Sequence, residues 1–257
     1  MMRRVVATLR DRLAAGEPLI GTFTMLGSGA VCELAGRSGL DFVFIDCEHG
    51  EISPYGTEIV GLVRACAAGG AVPLVRLPEP ERGAAQRVLD AGAAGILIPQ
   101  VGTPERARAA VAITRRPPAG LRGSAGVVRG GGYGTAPGAL AAAEPLAAIM
   151  LESPAAVDRA DELLATEGLD AVMFGPYDYA TAAGEPDPGA PGPGVQRARE
   201  RVYAAAAARG LVIADLAWDT AQARELIAAG ARLVAVGADV AILGDAFAGL
   251  RTAALGR

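Results

Sequence analysis

Short apolar runs recur along the whole chain, separated by segments with a helical pattern. They are "LIGTFTML" (19–26), "FVFID" (42–46), "VPLVRL" (72–77), "GILIPQ" (95–100), "LAAIMLE" (146–152), "AVMFGP" (171–176), "LVIADL" (211–216) and "RLVAVGAD" (232–239). Each run is continuously hydrophobic rather than alternating, which is typical of parallel strands covered on both faces. The pattern therefore predicts eight buried, parallel strands.

The intervening segments carry recognisable helix ends. Thr103 followed by Pro104 predicts a helix start, and Asp219 predicts another, with Gly230 as its stop. Eight strand-helix units in 257 residues are the number expected for a (β/α)8 TIM barrel. We expect one α/β domain over residues 1–257. Within it, a short amphipathic helix at 3–15 precedes the first strand.

Two segments interrupt this alternation. Residues 115–145 form a long Gly-rich connection, and residues 184–194 form a Pro/Gly-rich one. Because long loops in compact domains are usually functional or disordered, we interpret 121–134 as a candidate lid or wall of a site. The second segment is interpreted as a surface connection.

Composition removes several classes of partner. The net charge of −4 and the scattered arginines give no basic surface for nucleic acid. The chain has no charge-free apolar run of about 18 residues and no signal-peptide pattern at its start, so we expect no membrane partner. The three cysteines form no CxxC pair, which favours reduced, packed thiols and a cytoplasmic location.

All 24 cationic residues are arginine, and the sequence contains no lysine. Schiff-base catalysis, attachment of pyridoxal phosphate and a phosphate-binding loop of the GxxxxGK[ST] type all require lysine. The sequence therefore excludes these three chemistries.

Charged residues gather where the predicted strands end. Asp46, Glu48 and His49, the only histidine, follow the second run, and Arg76 ends the third. Later runs end in the same way, in Glu152 and in the "GPYD" of Asp178. Since active sites of (β/α)8 barrels lie at the carboxyl ends of the strands, these side chains are expected to share one mouth.

Six segments in order resemble one family. They are "FIDCEHG", "VPLVRLP", "RVLDAGAAGILIPQV", "GLRG", "IMLESPAAVDRADELLATEGLDAVMFGPYDYA" and "ARLVAVGADVAIL". Together they are similar to the HpcH/HpaI aldolases, the metal-dependent class II pyruvate aldolases. The resemblance implies a (β/α)8 barrel that cleaves a 4-hydroxy-2-oxo acid to pyruvate and an aldehyde through a metal-bound pyruvate enolate. It also implies a homo-oligomer, usually a hexamer that exchanges its last helix between subunits.

By this resemblance, Glu152 of "LES" and Asp178 of "GPYD" are the metal ligands. Two carboxylates with waters and a 2-oxo acid make an oxygen-rich site suited to Mg²⁺, Mn²⁺ or Co²⁺. Taken alone, a Glu and an Asp at strand ends also suit helix caps or ion pairs.

The resemblance also assigns catalytic roles. Arg76 matches an arginine beside the oxo oxygen of pyruvate, where a fixed cation stabilises the enolate. His49 and Asp46 match a pair in which the aspartate orients the imidazole and the histidine moves the proton of the aldol hydroxyl. A structural ion pair for Arg76 and a purely structural His49 are the alternatives.

Three further assignments are weaker. The backbone amides of Tyr177 and Asp178 are expected to receive the substrate carboxylate. Asp90 matches a substrate-binding aspartate that the family offers across a subunit interface, although an exposed acid at a helix end gives the same pattern. Glu48 suits a simple pairing with a neighbouring arginine.

One position departs from the family pattern. Met150 stands where many of these aldolases have a glutamine, two residues before Glu152 and on the same strand face. This leaves two other functions open: decarboxylation of oxaloacetate, or coupling of the enolate to another electrophile in biosynthesis. A barrel without turnover would be expected to lack Glu152, Asp178, Arg76 or His49, and all four are present.

Overall fold

Eight parallel strands pair in sequence order and close into a barrel, β8 pairing with β1. The computed structural model describes residues 9–135, 144–185 and 192–256. The strands are β1 (Leu19–Thr24), β2 (Phe42–Asp46), β3 (Val72–Arg76), β4 (Gly95–Ile98), β5 (Leu146–Leu151), β6 (Ala171–Phe174), β7 (Val212–Ala217) and β8 (Leu233–Ala238). All eight predicted strands are confirmed, and with them the (β/α)8 fold.

The helices surround this barrel. They are α1 (Gly29–Arg37), α2 (Glu58–Gly69), α3 (Arg82–Ala91), α4 (Pro104–Thr114), α5 (Pro154–Asp158), α6 (Ala160–Leu163), α7 (Pro176–Ala182), α8 (Pro193–Ala207), α9 (Thr220–Ala228) and α10 (Asp239–Ala254), with a 3₁₀ turn at Arg129–Gly134. Thr103 and Asp219 cap α4 and α9 as expected, each accepting a backbone N–H in the first turn. Among the described residues, no helix is long and apolar enough to cross a bilayer.

Side-chain alternation along the strands produces two apolar cores. Phe42 and Phe44 of β2 lie in the interior of the barrel, while Val43 and Ile45 pack against the surrounding helices. Because both faces are buried, the strands need apolar residues at every position, which explains their continuous hydrophobic pattern. Residues 9–14 are helical, and Leu9 and Leu13 belong to the interior core; the expected part of this helix at 3–8 lies outside the described residues.

The long connection after α4 does not line the mouth of its own barrel. Gly123 donates its N–H to Gln86 Oε1 at 2.7 Å, and Arg129 Nη1 donates to the Ala91 carbonyl at 3.0 Å. Residues 121–134 therefore pack beside α3, and the prediction that they form a lid or wall does not hold within this subunit. Parts of both interrupting segments, 136–143 and 186–191, lie outside the described residues.

Candidate active site at the carboxyl ends of the strands

Three charged side chains reach the mouth because of their register. Asp46 shares its strand face with Phe42 and Phe44, which point inward, and it pairs across the sheet with Arg76 of β3. Glu152 follows Met150 at the same two-residue spacing, just beyond the end of β5. A two-residue period carries an inward-facing strand position to the next one along the chain. The interior face therefore changes from apolar to charged where the strands end.

Asp46 and Arg76 form the centre of the cluster. The Arg76 Nε donates to Asp46 Oδ1 at 2.9 Å and its Nη2 donates to Oδ2 at 2.5 Å, a bidentate pair. The Phe23 ring lies against the guanidinium, 5.2 Å from centroid to Cζ. Burial by itself lowers the pKa of Arg76, but Asp46 and Glu48 outweigh burial and raise it. Arg76 is thus a rigid, permanently charged cation.

The turn after β2 differs from the expected arrangement. Asp46 Oδ1 accepts the backbone N–H groups of Glu48 and His49, at 3.0 and 3.3 Å. The imidazole instead lies beside Glu48, with 3.7 Å between His49 Nε2 and Glu48 Oε2. Asp46 therefore holds the turn and Arg76, and it does not orient the imidazole ring as predicted.

Glu48 links the histidine to the arginine. Its Oε2 lies 3.1 Å from Arg76 Nη1, and its side chain is only 10% exposed, whereas the His49 side chain is 57% exposed. Burial raises the pKa of Glu48, with Arg76 and His49 opposing the shift. The weakly assigned Glu48 is thus part of the site, while the histidine has room to move at its rim.

Glu152 is held in place by backbone atoms on both sides. Its Oε1 accepts the backbone N–H of Gln100, a residue with φ of 55°. A Cβ at position 175 would lie 2.6 Å from Glu152 Oε2, so only glycine permits this close approach. Burial, reinforced by Asp178 and Glu48, raises the pKa of Glu152 from 4.5 to about 7.

The segment after β6 closes the opposite side of the mouth. Tyr177 and Asp178 stand in the first turn of α7, which begins at Pro176. Both residues line a cavity of about 330 Å³ at the mouth, together with Asp46, His49 and Arg76. The Tyr177 ring meets the Trp218 ring edge-on, with 5.6 Å between centroids. The predicted residues that follow β2, β3 and β6 thus line one cavity, and Glu152 lies beside Gly175 of its wall.

The donor set fits a divalent cation. Four carboxylates lie near the guanidinium of Arg76: Asp46, Glu48, Glu152 and Asp178. Asp46 and Glu48 are occupied by Arg76, which leaves Glu152 and Asp178 without a cationic side chain of their own in the described residues. No three His, Cys, Asp or Glu side chains in the described ranges form a closed metal cage. A hard cation that retains several waters suits such a site better than structural zinc.

Asp90 lies apart from this cluster. It stands in the last turn of α3, near the amino ends of the strands, where Gln86 Nε2 donates to it at 2.7 Å and Arg122 Nη2 lies 3.5 Å away. Within one subunit it does not reach the mouth. A role in substrate binding would require a second subunit, as the resemblance implies.

Sequence reasoning missed several residues that form the cavity. It also missed Gln100, which holds Glu152 through its backbone N–H and which no feature of the sequence marks for this role. Phe23, Met25, Leu216 and Trp218 line the cavity from β1 and β7. The residues that line the cavity from these strands carry no charge, so a search for charged side chains passes over them.

Comparison with known proteins agrees with this geometry. Residues 19–246 match the sequence profile of the HpcH/HpaI aldolase/citrate lyase family. The chain is 36% identical over 232 residues to a 5-keto-4-deoxy-D-glucarate aldolase of Salmonella arizonae, covering 90% of each. It is 37% identical over 230 residues to a 2-keto-3-deoxy-L-rhamnonate aldolase of Klebsiella pneumoniae, covering 88% of this chain and 85% of that one.

A solved structure has the same architecture. A HpcH/HpaI aldolase/citrate lyase family protein from Burkholderia cenocepacia superposes with a TM-score of 0.89 at 35% identity, over 96% of this chain and 98% of that one. The profile spans most of the chain, and the identities to the relatives exceed those expected from a shared barrel alone. The protein therefore belongs to the HpcH/HpaI aldolase/citrate lyase family.

Proposed function

We propose that the protein is a metal-dependent class II pyruvate aldolase that reversibly cleaves a 4-hydroxy-2-oxo acid to pyruvate and an aldehyde. The observation that carries this proposal is the paired Glu152 and Asp178 beside the rigid Arg76, in a chain whose relatives are named aldolases. Mg²⁺, Mn²⁺ or Co²⁺ held by these two carboxylates would supply a Lewis acid for the oxo group.

The chain's own residues account for the handling of charge. In cleavage, the C4 hydroxyl loses its proton, the C3–C4 bond breaks with its electrons passing to C3, and an aldehyde forms at C4. The negative charge that develops on the C2 oxygen is stabilised by Arg76, which Asp46 and Phe23 hold in a fixed position. Preorganised charge of this kind is worth more in a half-buried site than in water.

His49 is the proposed acid/base group. Its imidazole is exposed at the rim, where it would reach the C4 hydroxyl of a bound substrate. Glu48 lies beside the ring. The imidazole takes the hydroxyl proton in cleavage and returns it in synthesis. After cleavage, the enolate takes a proton from solvent at C3 and leaves as pyruvate.

We also propose that the protein acts as a homo-oligomer, a hexamer. In α10 the buried residue is Asp239, at its first position. Further along this helix, apolar side chains are exposed: Val240, Ile242, Phe247 and Leu250. A helix with this pattern is stabilised by packing on another surface, and exchange with a neighbouring subunit supplies one.

A screen of aldehydes with pyruvate and Mg²⁺ or Mn²⁺ tests the activity, with oxaloacetate alone as the control. Aldol products that depend on enzyme and metal support the proposal. The alternative, decarboxylation of oxaloacetate, forms the same enolate, and Met150 in the cavity wall keeps it open. Release of CO₂ from oxaloacetate without aldol product from any aldehyde would favour that alternative over the aldolase.

A further inference from the structure

The cavity has two chemically different halves. The charged side chains that line it follow β2, β3 and β6, and Glu152 lies beside Gly175 of its wall. Together they form what we call the polar arc: Asp46, His49, Arg76, Glu152 and Asp178. The strands β7, β8 and β1 are consecutive around the closed barrel. Their contribution to the cavity, which we call the apolar arc, is Leu216, Trp218, Ala238, Phe23 and Met25. Met150, Met173 and Phe174 add apolar lining from β5 and β6, but no charged side chain lines the cavity from β7, β8 or β1.

Polar side chains on the strands of the apolar arc are already paired elsewhere. Thr24 Oγ1 donates to Asp239 Oδ2 at 2.7 Å, and Thr22 Oγ1 donates to the Gly237 carbonyl at 3.1 Å. Asp215 of β7 faces outward, where it accepts Arg199 Nε at 3.0 Å and the Tyr203 hydroxyl at 2.7 Å. The side chains of these residues are therefore committed to structural contacts.

The reaction geometry assigns the two halves to the two substrate fragments. If pyruvate occupies the polar arc, as the proposed function requires, the aldehyde must approach its C3 from the remaining side of the cavity. That side is the apolar arc, with the Trp218 ring half-exposed at its rim and braced by Tyr177. A hydroxylated aldehyde would lose water there without gaining hydrogen bonds, whereas an alkyl or aromatic one would bury apolar surface.

We propose that the apolar arc selects aldehydes with apolar chains, and that Trp218 and Leu216 are its specificity-determining residues. This inference rests on the proposed aldolase function. It separates this protein from relatives that are named for substrates derived from sugar acids. In the synthetic direction, C3 of the enolate attacks the aldehyde carbon, the C=O π electrons move to oxygen, and that oxygen takes up a proton.

The test compares two aldehydes of equal carbon number, butanal and erythrose, each with pyruvate and Mg²⁺. The ratio of their kcat/KM values is measured in the wild type, Trp218→Gln and Leu216→Asn, so that intrinsic aldehyde reactivity cancels between variants. We expect the butanal to erythrose ratio to fall by about tenfold in Trp218→Gln, the scale of discrimination available to an apolar pocket. Leu26→Gln, which changes a 41% exposed leucine outside the cavity lining, is the matched control.

A separate measurement tests enolate formation independently of the aldehyde. Exchange of the pyruvate methyl protons with deuterium, followed by NMR without any aldehyde, reports enolate formation by the wild type. If the wild type forms the enolate but the butanal to erythrose ratio is unchanged in Trp218→Gln and Leu216→Asn, the assignment of the apolar arc is overturned. An equal change of this ratio in Leu26→Gln would also overturn it. The aldolase proposal would stand in both cases. Absence of metal-dependent exchange in the wild type would instead overturn the proposed function, and this inference with it.

Discussion

Replacing Glu152 by glutamine should stabilise the metal-free protein at pH 8 while it weakens metal binding. Glu152 is 5% exposed and lies near two other carboxylates, Asp178 and Glu48, so its charged form is disfavoured without a cation. Glutamine has the same shape, and its Oε1 can still accept the Gln100 N–H. The substitution therefore removes a buried charge without creating a cavity.

The size of the effect follows from the pKa shift. Burial and the neighbouring carboxylates raise the pKa of Glu152 from 4.5 to about 7, which corresponds to about 3 kcal/mol of unfolding free energy. The folded protein binds more protons than the unfolded chain between these values, so wild-type stability is lost as the pH rises through this window. At pH 8 the variant should be more stable by about 3 kcal/mol, and at pH 5 the advantage should fall below about 1 kcal/mol.

Thermal unfolding in EDTA at a fixed subunit concentration measures this difference. A gain of about 3 kcal/mol raises Tm by roughly 6–12 °C for a chain of this size. Adding Mg²⁺ or Mn²⁺ should raise the wild-type Tm by mass action and the variant's Tm much less. Glu225→Gln, at an exposed position of α9, is the control and should change neither. A Glu152→Gln protein no more stable than wild type in EDTA at pH 8 would refute the reasoning.

Three further outcomes are expected. His49→Ala should fold normally and lose about 10²–10⁴-fold in kcat for aldol cleavage, because a positioned acid/base group is removed; near-wild-type kcat would make His49 structural. EDTA should abolish activity and Mg²⁺, Mn²⁺ or Co²⁺ should restore it, while borohydride with pyruvate should trap no adduct, since the chain has no lysine; full activity in protein shown by mass spectrometry to be metal-free would contradict this mechanism. Light scattering at micromolar concentration should give a multiple of 25.9 kDa, with six subunits expected; a mass near that of one chain would contradict the role given to α10.

The sequence by itself determined the barrel and the location of its mouth. Eight apolar runs with helical segments between them are a local property, set by the two-residue period of strands and the buried state of both sheet faces. The same period placed Asp46, Arg76 and Glu152 on inward positions at strand ends. The absence of lysine excluded the Schiff-base route regardless of the fold.

Only the tertiary structure decided which of these groups meet. Asp46 binds Arg76 rather than the imidazole because β2 and β3 pair Asp46 directly opposite Arg76, whereas His49 lies beyond the strand on the turn. The pKa of Glu152 likewise depends on burial and on carboxylates brought together from other strands. The cavity lining without charged side chains is contiguous because β7 and β8 close against β1. Pairing, burial and closure join residues far apart in the chain, and local sequence patterns carry no information about such distances.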